Sequence, residues 1–290
     1  MSDRNLSGYT LLFVGAHPDD ETFGLGGTLA YYARQGVKVY YACATRGEAG
    51  TTDPEYLKGF DSMGDMRWAE MEKAAAVLGL SGVIWLGFRD SGMAGAADNR
   101  HPQALTMASP DLAEEAVVKI IRQVRPQVIV THDPQGGYGH PDHIAVNQSV
   151  ERAFYSAADV QKFTGAGLVY QPQKLYYTVF SRRILKMTVR MMELLGRDTH
   201  HFGRNGDIDL ASLAERELPV TTSIRPGQAA LRARDEATAC YCSQLGGRRQ
   251  GFMRWAERFF GKTDLFMRVH PPAGNGRPEH DLFAGIMAGK

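Results

Sequence analysis

Two short stretches concentrate side chains that can bind metal and move protons. One is Ala16-His17-Pro18-Asp19-Asp20-Glu21, and the other is His140-Pro141-Asp142-His143, which follows Gly136-Gly137-Tyr138-Gly139. Imidazole and carboxylate together suit Zn²⁺ or a similar divalent ion. The first stretch has a plainer reading as well, because Asp19, Asp20 and Glu21 would favour the start of a following helix through its dipole. Each stretch follows an apolar run, residues 9–15 and 127–132, that reads as a buried strand. Loops rich in His and Asp after two such strands are natural partners at one edge of a parallel sheet, which favours the metal reading.

The elements that must hold these loops alternate regularly. Residues 37–44 and 82–87 read as further strands. Residues 65–78 read as a helix closed by Gly79, and the later part of 22–36 as a helix stopped by Gly36. The run 24–27 is glycine-rich but lacks G-x-G-x-x-G, so its glycines read as letting helix and sheet approach closely. Ser109 is a helix N-cap with Pro110 at the first position, and Leu112, Ala116, Val117, Ile120, Ile121 and Val124 form an apolar stripe up to Pro126. This rhythm predicts an α/β fold: a Rossmann-like, mostly parallel sheet with helices on both faces over residues 1–157. Residues 158–290 read as a smaller C-terminal α+β portion packed on that core to form one structural unit. It comprises strands at 174–181, 220–224 and 264–269, a basic helix at 183–195 with Met187, Met191 and Met192 as core filling, and a helix from 225 through 243. A basic turn at 246–251, with Arg248 and Arg249, reads as a lid or interface, and Asp281-Leu282-Phe283 as a docking point.

Ligands of open α/β sheets bind outside the carboxyl ends of the strands. Those ends carry His17, Asp19 and Asp20, then Arg46 and Glu48, then Arg89 and Asp90, then His132 and Asp133 with the second His-rich loop. Composition narrows the partners. A formal charge of +1 over 290 residues gives no reason to expect nucleic acid or an acidic membrane. Cys43 sits in an apolar strand and reads as a packing residue, while Cys240 and Cys242 lack C-x-x-C spacing and read as reduced thiols on a helix, with cytoplasmic localisation expected. No apolar run approaches a bilayer span, and no signal-peptide core follows the polar start.

With A-H-P-D-D-E near the start and H-P-D-H about a hundred residues on, the chain resembles the PIG-L/LmbE-like family of zinc-dependent N-acetylglucosaminyl deacetylases. Phe88-Arg89-Asp90-Ser91-Gly92-Met93 and Gly136-Gly137-Tyr138-Gly139 look like its mycothiol-pathway branch of GlcNAc-inositol deacetylase and mycothiol S-conjugate amidase. The resemblance is strong to about residue 150 and looser after it, where Gln173-Lys174-Leu175-Tyr176-Tyr177 and Asp281-Leu282-Phe283 are closer to the amidase. It implies His17, Asp20 and His143 as ligands of Zn²⁺ (Fe²⁺ in cells being an alternative), Arg67 and Asp90 as binders of sugar or inositol hydroxyls, Glu48 as a pocket acid, and Tyr138 as an aid to the oxyanion. Phe23 departs from the branch at the pocket mouth, where it can stack on a sugar or aromatic conjugate.

Given those ligands, Asp19 stands beside one without being one and can act as general base toward a metal-activated water. His140 can stabilise the tetrahedral oxyanion as an imidazolium, with Asp142 holding its proton. The expected reaction is therefore amide hydrolysis on an N-acyl glucosaminide, with amidase-type cleavage of a larger amide as the alternative. The expected partner is a small amino-sugar conjugate, with homo-oligomers possible. Two other classes compete: a non-haem Fe(II) oxygenase with a two-His, one-carboxylate triad, and a non-catalytic sugar-binding protein on the same fold. The spare Asp19 argues against both.

Overall fold

A computed structural model describes residues 5–179, 182–201, 209–215, 218–245, 262–274, 276 and 278–286. Five strands run parallel: β1 (Thr10–Gly15), β2 (Lys38–Cys43), β3 (Gly82–Trp85), β4 (Val128–Thr131) and β5 (Lys174–Val179). The sheet continues through β7 (Asp264–His270), antiparallel to β5, and ends with β6 (Thr222–Ile224), giving the order β3-β2-β1-β4-β5-β7-β6. The last three strands belong to the C-terminal portion and extend the sheet of the N-terminal one.

Every residue of β1 is buried, as a central parallel strand covered on both faces requires. Leu11 and Phe13 pack into one apolar cluster with Leu29, Tyr41, Met71 and Leu78; Leu12 and Val14 pack into the other with Val117, Ile121, Val150 and Phe154. The first cluster is covered by α2 (Gly26–Arg34) and α3 (Met63–Leu78), the second by α4 (Pro110–Val124) and α5 (Pro141–Ser156). A single-turn helix, α1 (Asp20–Phe23), follows β1 directly. The caps follow local chemistry. Ser62 Oγ accepts the Asp65 N–H and Ser109 Oγ the Leu112 N–H, while Gly79 closes α3 at φ 77.

Three local expectations change. Leu112 is 54% exposed, and α4 buries Ala113, Val117, Val118, Ile120 and Ile121 instead. At about 100° per residue, Leu112 falls on the far side of that face. Gly26 and Gly27 give room to another helix rather than to the sheet. A Cβ on Gly26 would lie 3.1 Å from Arg234 Cγ, and one on Gly27 3.0 Å from Pro226 Cγ, both in or beside α8 (Gln228–Thr238). The helix expected through residue 243 breaks after Thr238 and resumes as the short α9 (Cys242–Leu245), numbered after α6 (Arg182–Leu194), α7 (Leu210–Glu215) and α8. In α6, Met192 is buried but Met187 is exposed, so only part of the methionine set fills a core.

The C-terminal end docks as its apolar pair suggests. Leu282 and Phe283 are buried, with the Phe283 ring edge-on to Tyr9 at 5.1 Å and to Tyr32 at 5.2 Å. Tyr32 Oη donates to Asp281 Oδ1 and accepts the Leu282 N–H. Arg248, Arg249 and the turn at 246–251 lie outside the described residues, as do the last two residues of the strand expected at 174–181. Among the described residues no helix is long and apolar enough to cross a membrane.

Candidate metal-dependent active site

The chain leaves β1 at Gly15 and turns through His17 to Asp19, which caps α1 at φ 118, ψ −26. A non-glycine residue seldom takes such a conformation, and the surroundings must hold it there. Its N–H donates to Glu21 Oε2 and its carbonyl accepts from Thr22 and Phe23. Glu21 is fully buried and anchored by Thr22 Oγ1 and by Tyr241 Oη from the C-terminal portion. Tyr41 Oη donates to the His17 carbonyl at 2.6 Å, fixing the turn from β2. On the neighbouring strand, β4 delivers His132 at its end and then the loop into α5. There His140 is the N-cap, Pro141 opens the helix, and Asp142 and His143 follow in the first turn.

These elements bring His17, Asp20 and His143 together. His17 Nδ1 lies 3.2 Å from His143 Nε2, Asp20 Oδ1 lies 3.4 Å from the same nitrogen, and Asp20 Oδ2 is 4.0 Å from His17 Nδ1. Four ligands at zinc's usual bond lengths sit about 3.3 Å apart, so the two short separations match edges of one coordination tetrahedron. The hydrogen bonding behind them agrees. His17 Nε2 faces Asp142 Oδ2 at 3.2 Å and Asp90 Oδ1 at 3.5 Å, so that nitrogen carries the proton and Nδ1 presents a lone pair. Burial opposes ionisation of Asp20, yet His143, His132 and His17 hold its carboxyl well below the usual range, leaving an ionised acceptor. The donor set of two imidazoles and one carboxylate fits a divalent cation.

Beside this centre lies a cavity of about 200 Å³ lined by His17, Asp19, Arg67, Asp90, Tyr138 and His140, and by Gln244 of α9. Arg67, on α3, is buried; its Nη2 donates to Asp19 Oδ2 at 3.0 Å and to the Pro18 carbonyl at 2.7 Å. The guanidinium expected on distant hydroxyls thus engages Asp19. Burial pushes the Asp19 carboxyl up to about 7, against the pull of Arg67. Asp90 accepts the N–H groups of Ala49 and Gly92 and faces His17, which holds its carboxyl well down despite burial. Glu48 Oε2 accepts the N–H groups of Arg46 and Asp90, which ties the loop after β2 to the loop after β3. Glu48 and the 46% exposed Phe23, which leans on Tyr241, are outside the cavity lining.

One expected pairing is corrected. The Asp142 carboxylate reaches His17 Nε2 and the Ser91 N–H rather than His140. Only the Asp142 backbone N–H meets His140, donating to Nδ1. His140 therefore carries its proton on Nε2 when neutral, and burial followed by the charge of His17 pushes its pKa down to about 3. Asp142 is therefore not the group that would hold a proton on His140. Tyr138 stands beside both rings, 5.9 Å from His140 and 5.3 Å from His143 between centroids.

Residues 12–154 match the family model described as GlcNAc-PI de-N-acetylase (PIG-L). The 1D-myo-inositol 2-acetamido-2-deoxy-alpha-D-glucopyranoside deacetylase of Thermobifida fusca is 36% identical over 98% of this chain and 100% of its own length. The chain belongs to the PIG-L family. As a member it is a deacetylase, a hydrolase of N-acetylglucosaminyl amides, and its family depends on a metal. The enzyme of the same description from Acidothermus cellulolyticus is 36% identical over 96% of this chain and 95% of its own. Among solved structures, N,N'-diacetylchitobiose deacetylase from Pyrococcus horikoshii has the same fold, with a TM-score of 0.56 at 20% identity, covering 96% of this chain and 86% of that one.

The sequence places His132 at one of the strand ends where a ligand would bind but assigns it no role there. In the fold its Nε2 is 3.1 Å from Asp20 Oδ2, and its ring stacks on His143 at 3.8 Å. Gln244 and Glu21 were missed too. Only for Glu21, inside the first motif, was there a signal to follow.

Proposed function

We propose that this protein removes the acetyl group from N-acetylglucosamine linked to inositol, using Zn²⁺ held by His17, Asp20 and His143. The observation that carries the reading is His143 Nε2 lying 3.2 Å from His17 Nδ1 and 3.4 Å from Asp20 Oδ1, next to Asp19 in the turn that follows β1. The relatives named as deacetylases of this glycoside support the substrate. A bound zinc ion supplies Lewis acidity and lowers the pKa of a coordinated water to about 7. Asp19, pinned by Arg67, accepts the proton that water gives up and later returns it to the leaving amine. His140 donates its Nε2–H to the oxygen that gains charge as the amide carbon becomes tetrahedral, and Tyr138 offers its hydroxyl to the same oxygen. Asp142 and Ser91 keep His17 in the tautomer a metal ligand needs. Asp90 and Gln244, both in the cavity lining, meet the sugar and its aglycone. Residues 1–157 and 158–290 act as one unit in the cytoplasm.

The test is a panel of zinc-loaded reactions followed by mass spectrometry for free amine and acetate. It includes the GlcNAc-inositol glycoside, free N-acetylglucosamine, N,N'-diacetylchitobiose and a mycothiol S-conjugate. Fastest release from the inositol glycoside is expected. Preference for the S-conjugate would make the protein an amidase of larger amides, and inactivity on all four would remove the substrate class.

A further inference from the structure

We infer that His132 is a positioning residue for the metal site, holding the Asp20 carboxylate by Oδ2 so that Oδ1 stays turned toward His143. This rests on the ligand set proposed above. Asp20 Oδ2 already accepts three hydrogen bonds: the N–H groups of Ala16 and His17, each at 2.9 Å, and His132 Nε2 at 3.1 Å. An ionised carboxylate oxygen offers about two lone-pair directions and donates nothing. Nε2 of His132 must therefore carry the proton, and Oδ2 has no capacity left for a cation. Oδ1 is the oxygen that faces His143 Nε2.

The His132 ring is held rigidly enough to impose this. Its backbone leaves the end of β4, where its carbonyl accepts from Asn147 Nδ2 at 2.8 Å. One side of the ring stacks on His143 with an 11° interplanar angle, and Phe13 stands edge-on at 5.9 Å. His132 thus supports two proposed ligands at once, one by a hydrogen bond and one by ring stacking. Partners of this kind orient ligands and raise metal affinity. A different arrangement is also within reach, because Asp20, His132 and His143 place ligand atoms within 4.8 Å of one another, close enough for His132 to be a ligand itself. The saturation of Oδ2 argues for support.

The experiment titrates metal-free wild type, His132→Phe, His132→Gln and His143→Ala with Zn²⁺ against a competing chelator. Co²⁺ titrations are followed by visible absorption. Phe keeps the stacking ring and removes the donor; Gln keeps an N–H that can reach Oδ2. His132→Phe should bind zinc about 10–100-fold more weakly, and its Co²⁺ absorption should change as the Asp20 carboxylate and the His143 ring lose a fixed neighbour. His132→Gln should match wild type in both. Tight binding by His132→Phe, or equal weakening in Phe and Gln, overturns the inference. So does complete loss in both variants, as in His143→Ala, since that would make His132 a ligand. If His143→Ala binds as well as wild type, the ligand set itself fails and takes this inference with it. Circular dichroism of the metal-free proteins checks folding; should the Phe variant not fold, His132→Asn, too short to reach Oδ2, takes its place.

Discussion

Asp19 and Asp20 share one turn but meet different neighbours. Asp20 is ringed by imidazoles and backbone N–H groups, whereas Asp19 faces the Arg67 guanidinium and the cavity. Asp20→Asn should therefore lower zinc content. Asp19→Asn should keep it while kcat falls about 10²–10⁴-fold, the value of a positioned general base. Zinc stoichiometry beside turnover checks both. Were the two carboxylates only helix caps, each would cost about 0.5–2 kcal/mol of stability and leave metal and chemistry alone. Arg67 gives a second test. Its charge lowers the Asp19 pKa, so Arg67→Met should raise it, and Asp19 would stay protonated to higher pH. The base must be ionised to work, so the acid limb of kcat/KM should move to higher pH. The loss should be alike for free N-acetylglucosamine and a large glucosaminide. An unmoved limb, or a loss confined to the large substrate, would put Arg67 on the aglycone instead.

At the scale of elements, the junction of β1 with α1 depends on the absence of one side chain. A Cβ at Gly15 would stand 2.8 Å from Tyr41 Oη and 3.1 Å from Phe13 Cε1. The Tyr41 hydroxyl holds the His17 carbonyl, so crowding on β2 is passed to the His17 turn. Gly15→Ala should cost about 1–3 kcal/mol, as overpacking does, read from urea unfolding of the metal-free protein. Zinc affinity should fall as well, because the His17 peptide must shift with Tyr41. Unchanged stability would mean that Tyr41 swings aside freely and does not fix the turn.

For the whole molecule, the question is how far residues 158–290 belong to the catalytic unit. They add three strands to the sheet, send Tyr241 to the buried Glu21 beside Asp19, and close over α2 with Leu282 and Phe283. Phe283 is fully buried between Tyr9 and Tyr32. Phe283→Ala should destabilise the protein by about 3–5 kcal/mol, the range for emptying a buried aromatic site, in a single cooperative urea transition. A change within about 0.5 kcal/mol, as for ordinary surface substitutions, would show that the end of the chain only rests on the core.

The sequence by itself determined what is local. Apolar runs marked β1, β2 and β4 because a parallel strand is covered on both faces and tolerates little polarity. Gly79 and Ser109 marked helix ends because caps satisfy the backbone within a turn, whereas the Ser62 cap, ahead of the expected start of α3, was not read. The two His–Asp motifs marked the loops, since ligand and base residues must cluster where strands open. Tertiary structure decided everything that depends on which distant groups meet. Asp142 is two residues from His140 but gives its carboxylate to His17, 125 residues away, because the first turn of α5 faces β1 across the strand ends. Arg67, expected on sugar or inositol hydroxyls, reaches from α3 to Asp19 and the Pro18 carbonyl in the turn after β1. His132 carried no signal beyond its place at a strand end. Its role follows from β4 lying next to β1, and that adjacency is set by packing of the whole sheet, which no short stretch of sequence encodes.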